Sequence, residues 1–198
     1  AVDDVSLSVE PGMLHGVIGP NGAGKSSFMD ALSGRRKLDS RMVYERFRHR
    51  CFKCGEDLSG AGSADKALDH TLPVYYLYPL STENATLLCR TCNGVKAGSW
   101  PSEFYSDQEM KRLAILTGIP YEVMSGPAVY NEEALEKLRD SAVVDALLEK
   151  YSKYIGELIK LRNRLLHDLG EDFFAYSQAI NPRWVEEADK QYAMKYGG

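Results

Sequence analysis

Four cysteines in two tight pairs constrain this chain more than any other feature. They are Cys51-x-x-Cys54 and Cys89-x-x-Cys92, with 34 residues between Cys54 and Cys89. A two-residue gap lets both sulfurs of a knuckle point at one ion, and two knuckles supply the four thiolates of a closed tetrahedral site. The expectation is a structural Zn2+ held by Cys51, Cys54, Cys89 and Cys92. Two disulfides, or four reduced core cysteines, suit an oxidising compartment or an unpatterned distribution, and the sequence offers neither.

The chain of 198 residues has room for one ordinary domain, or a small domain with an appendage. Hydrophobic residues at 44% and charged residues at 26% lie close to globular averages, which excludes a disordered or collagen-like chain. The net charge of -4 removes a globally basic nucleic-acid binder, but an average conceals local fields. From Arg35 to Lys53, eight basic side chains face only Asp39 and Glu45. No apolar run approaches the roughly 20 residues of a membrane span and no secretory signal is visible, so the expected location is cytoplasmic.

Residues 1–34 have a character of their own. Val5, Leu7 and Val9 alternate with polar residues as in a half-buried strand, Pro11-Gly12 marks a turn, and residues 14–18 read as a second strand. Gly19-Pro20-Asn21-Gly22-Ala23-Gly24-Lys25-Ser26 then matches the phosphate-binding loop in full and runs into a helix that Gly34 stops. These words closely resemble the start of an ABC-transporter ATPase, and the resemblance ends at Gly34. It implies nucleotide contacts from Gly22, Gly24, Lys25 and Ser26. Hydrolysis needs in addition an acidic metal partner on another strand, a Gln-containing loop and a Leu-Ser-Gly-Gly signature, none of which follows in this sequence. ATP is therefore not expected as a partner, and the segment reads as a remnant, a fusion, or two strands and a helix recruited into another unit's packing.

Between the knuckles lies Leu68-Asp69-His70-Thr71-Leu72-Pro73. Glu83-Asn84-Ala85-Thr86-Leu87-Leu88 leads into Cys89, and Cys92-Asn93-Gly94-Val95-Lys96 follows. In this order the residues resemble the zinc-containing HNH nucleases over about residues 45–100. The resemblance implies a metal-dependent DNA endonuclease in which His70 activates water, Asp69 and Asn93 hold Mg2+ or Mn2+, and Asn84 orients the loop and His70. An imidazole titrates near neutral pH, and oxygen ligands suit a hard cation. Many members carry His where Asn93 stands. Arg46, Arg48, Arg50, Lys53 and Lys96 are the candidate DNA contacts, Lys96 having solvation as its plainer alternative. Tyr75, Tyr76 and Tyr78 are expected as the core-facing aromatic side of a strand.

Ser106-x-x-Glu109 is a capping box opening a helix that Thr117-Gly118 closes. Val144, Leu147, Tyr151, Tyr154, Leu158, Leu161 and Leu165 recur at steps of three and four, which predicts one helix of about seven turns ended by Gly170. Its stripe packs across its own domain or pairs two copies. The expected fold class is α+β: an N-terminal β-β-loop-helix segment (1–34), a basic lead-in (35–50), a ββα-metal core (51–105) and a mainly helical C-terminal region (106–198). Residues 100–105 and the helical tail resemble type II restriction enzymes of the HNH class, in which a homodimer would cut both strands. Two other readings stand beside it: a zinc-stabilised nucleic-acid-binding module without catalysis, and an ATP-binding regulatory fragment.

Overall fold

The computed structural model describes residues 38–62 and 65–197. The expected strands, loop and helix of residues 1–34, with Gly22, Gly24, Lys25 and Ser26, lie outside the described residues. The basic lead-in becomes helix α1 (Ser40–Arg46), whose start is fixed by Asp39 Oδ1 accepting the Met42 N–H at 3.1 Å. Past Phe47, Arg48 and His49 take left-handed φ values of 51° and 53°, turning the chain sharply into the first cysteine knuckle.

Two antiparallel strands follow, β1 (Lys66–His70) and β2 (Ala85–Cys89), paired from Lys66↔Cys89 to His70↔Ala85. A lone two-stranded ribbon is marginal in water. Here every residue of β2 is buried, because helix α2 (Arg90–Lys96) and helix α1 pack against it. Pairing stops at His70, and Pro73, which has no N–H to donate, begins a single 3-10 turn at Val74–Tyr76. The tyrosine strand expected from sequence is corrected accordingly. Tyr76 and Tyr78 instead set their rings 5.2 Å and 6.0 Å from Trp100, while Tyr75 is exposed.

Helices α3 (Pro101–Phe104), α4 (Asp107–Thr117) and α5 (Tyr121–Ser125) complete the first core, built on Val43, Phe47, Leu72, Leu87, Leu88, Trp100, Leu113 and Met124. The capping box of α4 closes as the sequence predicts. Glu109 Oε2 accepts the Ser106 N–H at 2.7 Å, Ser106 Oγ accepts the Glu109 N–H at 3.3 Å, and Gly118 ends the helix at φ 79°.

A second core lies among helices α6 (Glu132–Leu138), α7 (Ser141–Lys150), α8 (Ile155–Leu169) and α9 (Pro182–Tyr196). The long helix expected from the leucine stripe is two helices, separated by a 3-10 turn at Ser152–Tyr154. Val144, Leu147, Leu158, Leu161 and Leu165 are buried in the same core, whereas Tyr154, at the break, is 52% exposed. Of the two roles open to the stripe, packing within its own chain is the one observed, and these residues are not available as a seam between copies: α7 and α8 fold against their own neighbours. Leu77, fully buried at φ 66°, plugs into this second core from the loop of the first, and Asn131 clasps that loop by donating to the carbonyls of Tyr76 and Leu77. Among the described residues the architecture is mostly helical with one small two-stranded sheet. No described helix is long and apolar enough to cross a membrane.

Candidate metal centre and the buried ion pair beside it

The first knuckle is a tight turn, in which the Gly55 N–H donates to the Cys51 carbonyl at 2.8 Å with Gly55 at φ 77°. The second straddles a strand end and a helix start: Cys89 closes β2 and caps α2, and Cys92 sits in the first turn of that helix. The Phe52 N–H donates to the Leu87 carbonyl at 2.9 Å, tying the first knuckle to the strand that delivers the second. The four thiol sulfurs consequently lie within 4.8 Å of one another.

This spacing fits a bound cation. Four sulfurs at about 2.3 Å from a tetrahedral zinc are about 3.8 Å apart, and Cys54 Sγ stands 3.8 Å from Cys89 Sγ. All four cysteines are free of disulfides. Burial drives the Cys89 thiol up to about 11 and raises Cys92 as well. Burial pushes Cys51 in the same direction, but N–H donors from Cys54, Cys89 and Lys53 outweigh it and its thiol is lowered. A cation among them would hold all four as thiolates.

Beside this cluster β1 places Asp69 and His70 on opposite faces of the backbone. Lys96, on the last turn of α2, returns to meet them. Its Nζ lies 2.7 Å from Asp69 Oδ2 and donates to the His70 carbonyl at 2.7 Å, and its side chain is 0% exposed. The ammonium and the carboxylate form a close, buried ion pair. Burial raises Asp69 against the opposing pull of Lys96, and burial with Lys96 lowers His70 to about 4. Both sequence readings of Lys96, as a phosphate contact and as a solvated cation, are corrected: it is a buried latch between α2 and β1.

Asn84 is buried immediately before β2. Its Oδ1 accepts the Leu72 N–H at 2.7 Å, and its Nδ2 donates to the carbonyls of Leu72 and Pro79 at 2.9 Å each. Asn93 is half-buried one helical turn before Lys96, and its carbonyl accepts the Ala97 N–H. The basic residues divide. Arg46 donates to the Thr82 carbonyl at 2.6 Å, Arg50 pairs with Asp57 at 3.3 Å, and Lys53 pairs with Glu109 at 2.7 Å; Arg48 makes no ion pair among the described residues. The latch role of Lys96 was missed because its partners are some 26 residues away in sequence, and a lone lysine after a cysteine knuckle carries no mark of burial.

Comparison with known proteins redirects the functional reading. A family described as ABC transporter matches residues 2–52, which runs past Gly34 through α1 to the first knuckle. The ribose import ATP-binding protein RbsA 1 of Burkholderia cenocepacia (strain HI2424) is 52% identical over 40 residues, covering 20% of this chain and 8% of that protein. The hemin import ATP-binding protein HmuV of Agrobacterium fabrum is 48% identical over 42 residues, 21% of this chain and 16% of its own. The energy-dependent translational throttle protein EttA of Escherichia coli (strain K12) is 49% identical over 39 residues, 20% of this chain and 7% of its own. The chain thus spans only a small part of the length of these relatives. No solved structure matches it.

These matches overturn the main functional expectation. The likeness that other proteins support is to ABC ATP-binding proteins, so the reading as an HNH or restriction endonuclease, a phosphodiester hydrolase with DNA as partner, is withdrawn. The expectation that ATP is not a partner falls with it, since the import relatives are ATP-binding proteins by name.

Proposed function

We propose that this chain binds Mg2+-ATP through its leading segment, as an ATP-binding fragment of the ABC kind. The observation that carries the reading is the ABC-transporter match over residues 2–52, within which the complete loop Gly19 to Ser26 falls. Gly22 and Gly24 let backbone N–H groups approach the phosphates, Lys25 reaches the terminal phosphates and the Ser26 hydroxyl holds Mg2+. ATP as ligand points to the cytoplasmic side as the place of action. Equilibrium titration with Mg2+-ATP tests this: Lys25→Ala should weaken binding by tenfold or more, and binding that is absent in the parent chain or unchanged in the variant refutes it.

For the described residues we propose a ββα-metal fold in which Cys51, Cys54, Cys89 and Cys92 hold a structural Zn2+. The convergence of the four sulfurs supports it. The protein should carry one zinc per chain by elemental analysis, and Cys54→Ser with Cys92→Ser should lose it. Asp69 and Asn93 remain the proposed oxygen ligands of a second divalent cation. The packing of α2, which carries Asn93, against β1, which carries Asp69, favours this, and the cation would have to displace Lys96 from Asp69 Oδ2. Mn2+ binding that tightens in Lys96→Met and disappears in Asp69→Asn is the expected result.

A further inference from the structure

The end of α1, the Arg48 turn, the first knuckle itself and α4 line an open cleft of about 650 Å3. Its lining carries Arg46, Arg48, Arg50, Lys53 and Arg112, and no Asp or Glu. That volume falls in the range of small-molecule sites, roughly 300–1,000 Å3. In a chain of net charge -4, five cations around one cleft are a local reversal of field.

How those cations are already engaged decides what the cleft can hold. Arg50 and Lys53 are neutralised by Asp57 and Glu109. Arg46 spends one nitrogen on the Thr82 carbonyl and forms no ion pair among the described residues. Arg112 lies over the Phe52 ring at 5.2 Å, and Arg48 is held exposed by a left-handed backbone; neither forms an ion pair among the described residues. Three arginines therefore line one cavity with no carboxylate partner among the described residues. Each guanidinium is a planar fork of donors that matches phosphate oxygens in pairs, and like charges around one cleft favour an anion between them.

We propose that this cleft binds a ligand carrying several linked phosphates, gripped by Arg46, Arg48 and Arg112. The site is distinct from the Gly19 to Ser26 loop and does not rest on that loop's function. A polyphosphate chain and the triphosphate of a nucleotide share this chemistry. Three separate cationic forks suit either better than a lone carboxylate.

The test is calorimetric titration of the full chain carrying Lys25→Ala, so that the leading loop does not contribute. Sodium tripolyphosphate should bind, with an affinity that falls as salt is raised. Arg48→Gln and Arg112→Gln should each weaken binding about tenfold, as expected for loss of a charge-assisted contact. Arg48 is exposed, so its variant keeps the fold, and an unchanged near-ultraviolet circular dichroism spectrum verifies this. Equal affinity for tripolyphosphate and ATP assigns the phosphate chain as the recognised element; tenfold tighter ATP assigns a nucleotide, and both support the site. Lack of binding at millimolar tripolyphosphate, or binding indifferent to Arg48→Gln, overturns it. Failure of Mg2+-ATP to bind the unsubstituted loop would leave this outcome untouched, so the two readings fail separately.

Discussion

Lys96 shows how one side chain can bind two elements together. Its ammonium is removed from water and is compensated by the Asp69 carboxylate and the His70 carbonyl. Removing one partner of a buried pair strands the other, so Lys96→Met should cost about 3 kcal/mol in urea unfolding. Adding Asp69→Asn should recover part of that loss; a double variant no more stable than the single would contradict the pairing. Asn84 is the other residue-scale anchor, satisfying one N–H and two carbonyls in a loop with no regular pairing of its own. Asn84→Ala should destabilise by about 3 kcal/mol, since buried backbone groups lose their partners, and a change under about 0.5 kcal/mol would show that they find others. The cysteine pairs were legible at this scale because i, i+3 sulfurs converge by local geometry alone. Lys96 was not, because only the return of α2 onto β1 buries it.

Among elements, α4 was the most legible: capping box, interior and glycine stop all act within the helix's own turns. Its cap also carries a pH dependence. Burial tends to raise Glu109, but Lys53 and the Ser106 donors prevail and hold it below its ordinary value. A carboxylate lowered on folding stabilises above its unfolded pKa, and that contribution is lost as pH falls through the folded one. Parent stability should therefore drop below about pH 4.5 more steeply than in Glu109→Gln; parallel unfolding curves would contradict this. The α7–α8 pair was less legible. A stripe at steps of three and four continues through a 3-10 turn without losing its apolar character, so periodicity alone could not reveal the break. Tyr154 sits on that break, half exposed, and Tyr154→Ala should change stability by less than about 0.5 kcal/mol. Leu158→Ala, 2% exposed in the second core, should cost about 2–5 kcal/mol. The reverse ranking in thermal melts would restore the dimer seam.

At the scale of the whole molecule, two apolar cores are joined at the Leu77 loop, and only the first is built around the cysteine cluster. Chelation of the proposed zinc should abolish near-ultraviolet signals from the first core, including Trp100, before the helical signal of α6 to α9 is lost. A single concerted loss of both signals would show that the cores fold as one unit. The order of motifs between the knuckles suggested nuclease chemistry, yet the likeness supported by other proteins lies in the leading segment. The loop from Gly19 to Ser26 already carried that likeness in the sequence, and comparison extended it to residues 2–52. The central proposal, that Mg2+-ATP binds through the leading segment, is tested most directly by the dissociation constant for Mg2+-ATP. It should be measured with the Arg-lined cleft disabled by Arg48→Gln and Arg112→Gln. Saturable binding that Lys25→Ala then weakens at least tenfold is the predicted result. Binding that Lys25→Ala leaves intact, or none at millimolar nucleotide, would contradict it.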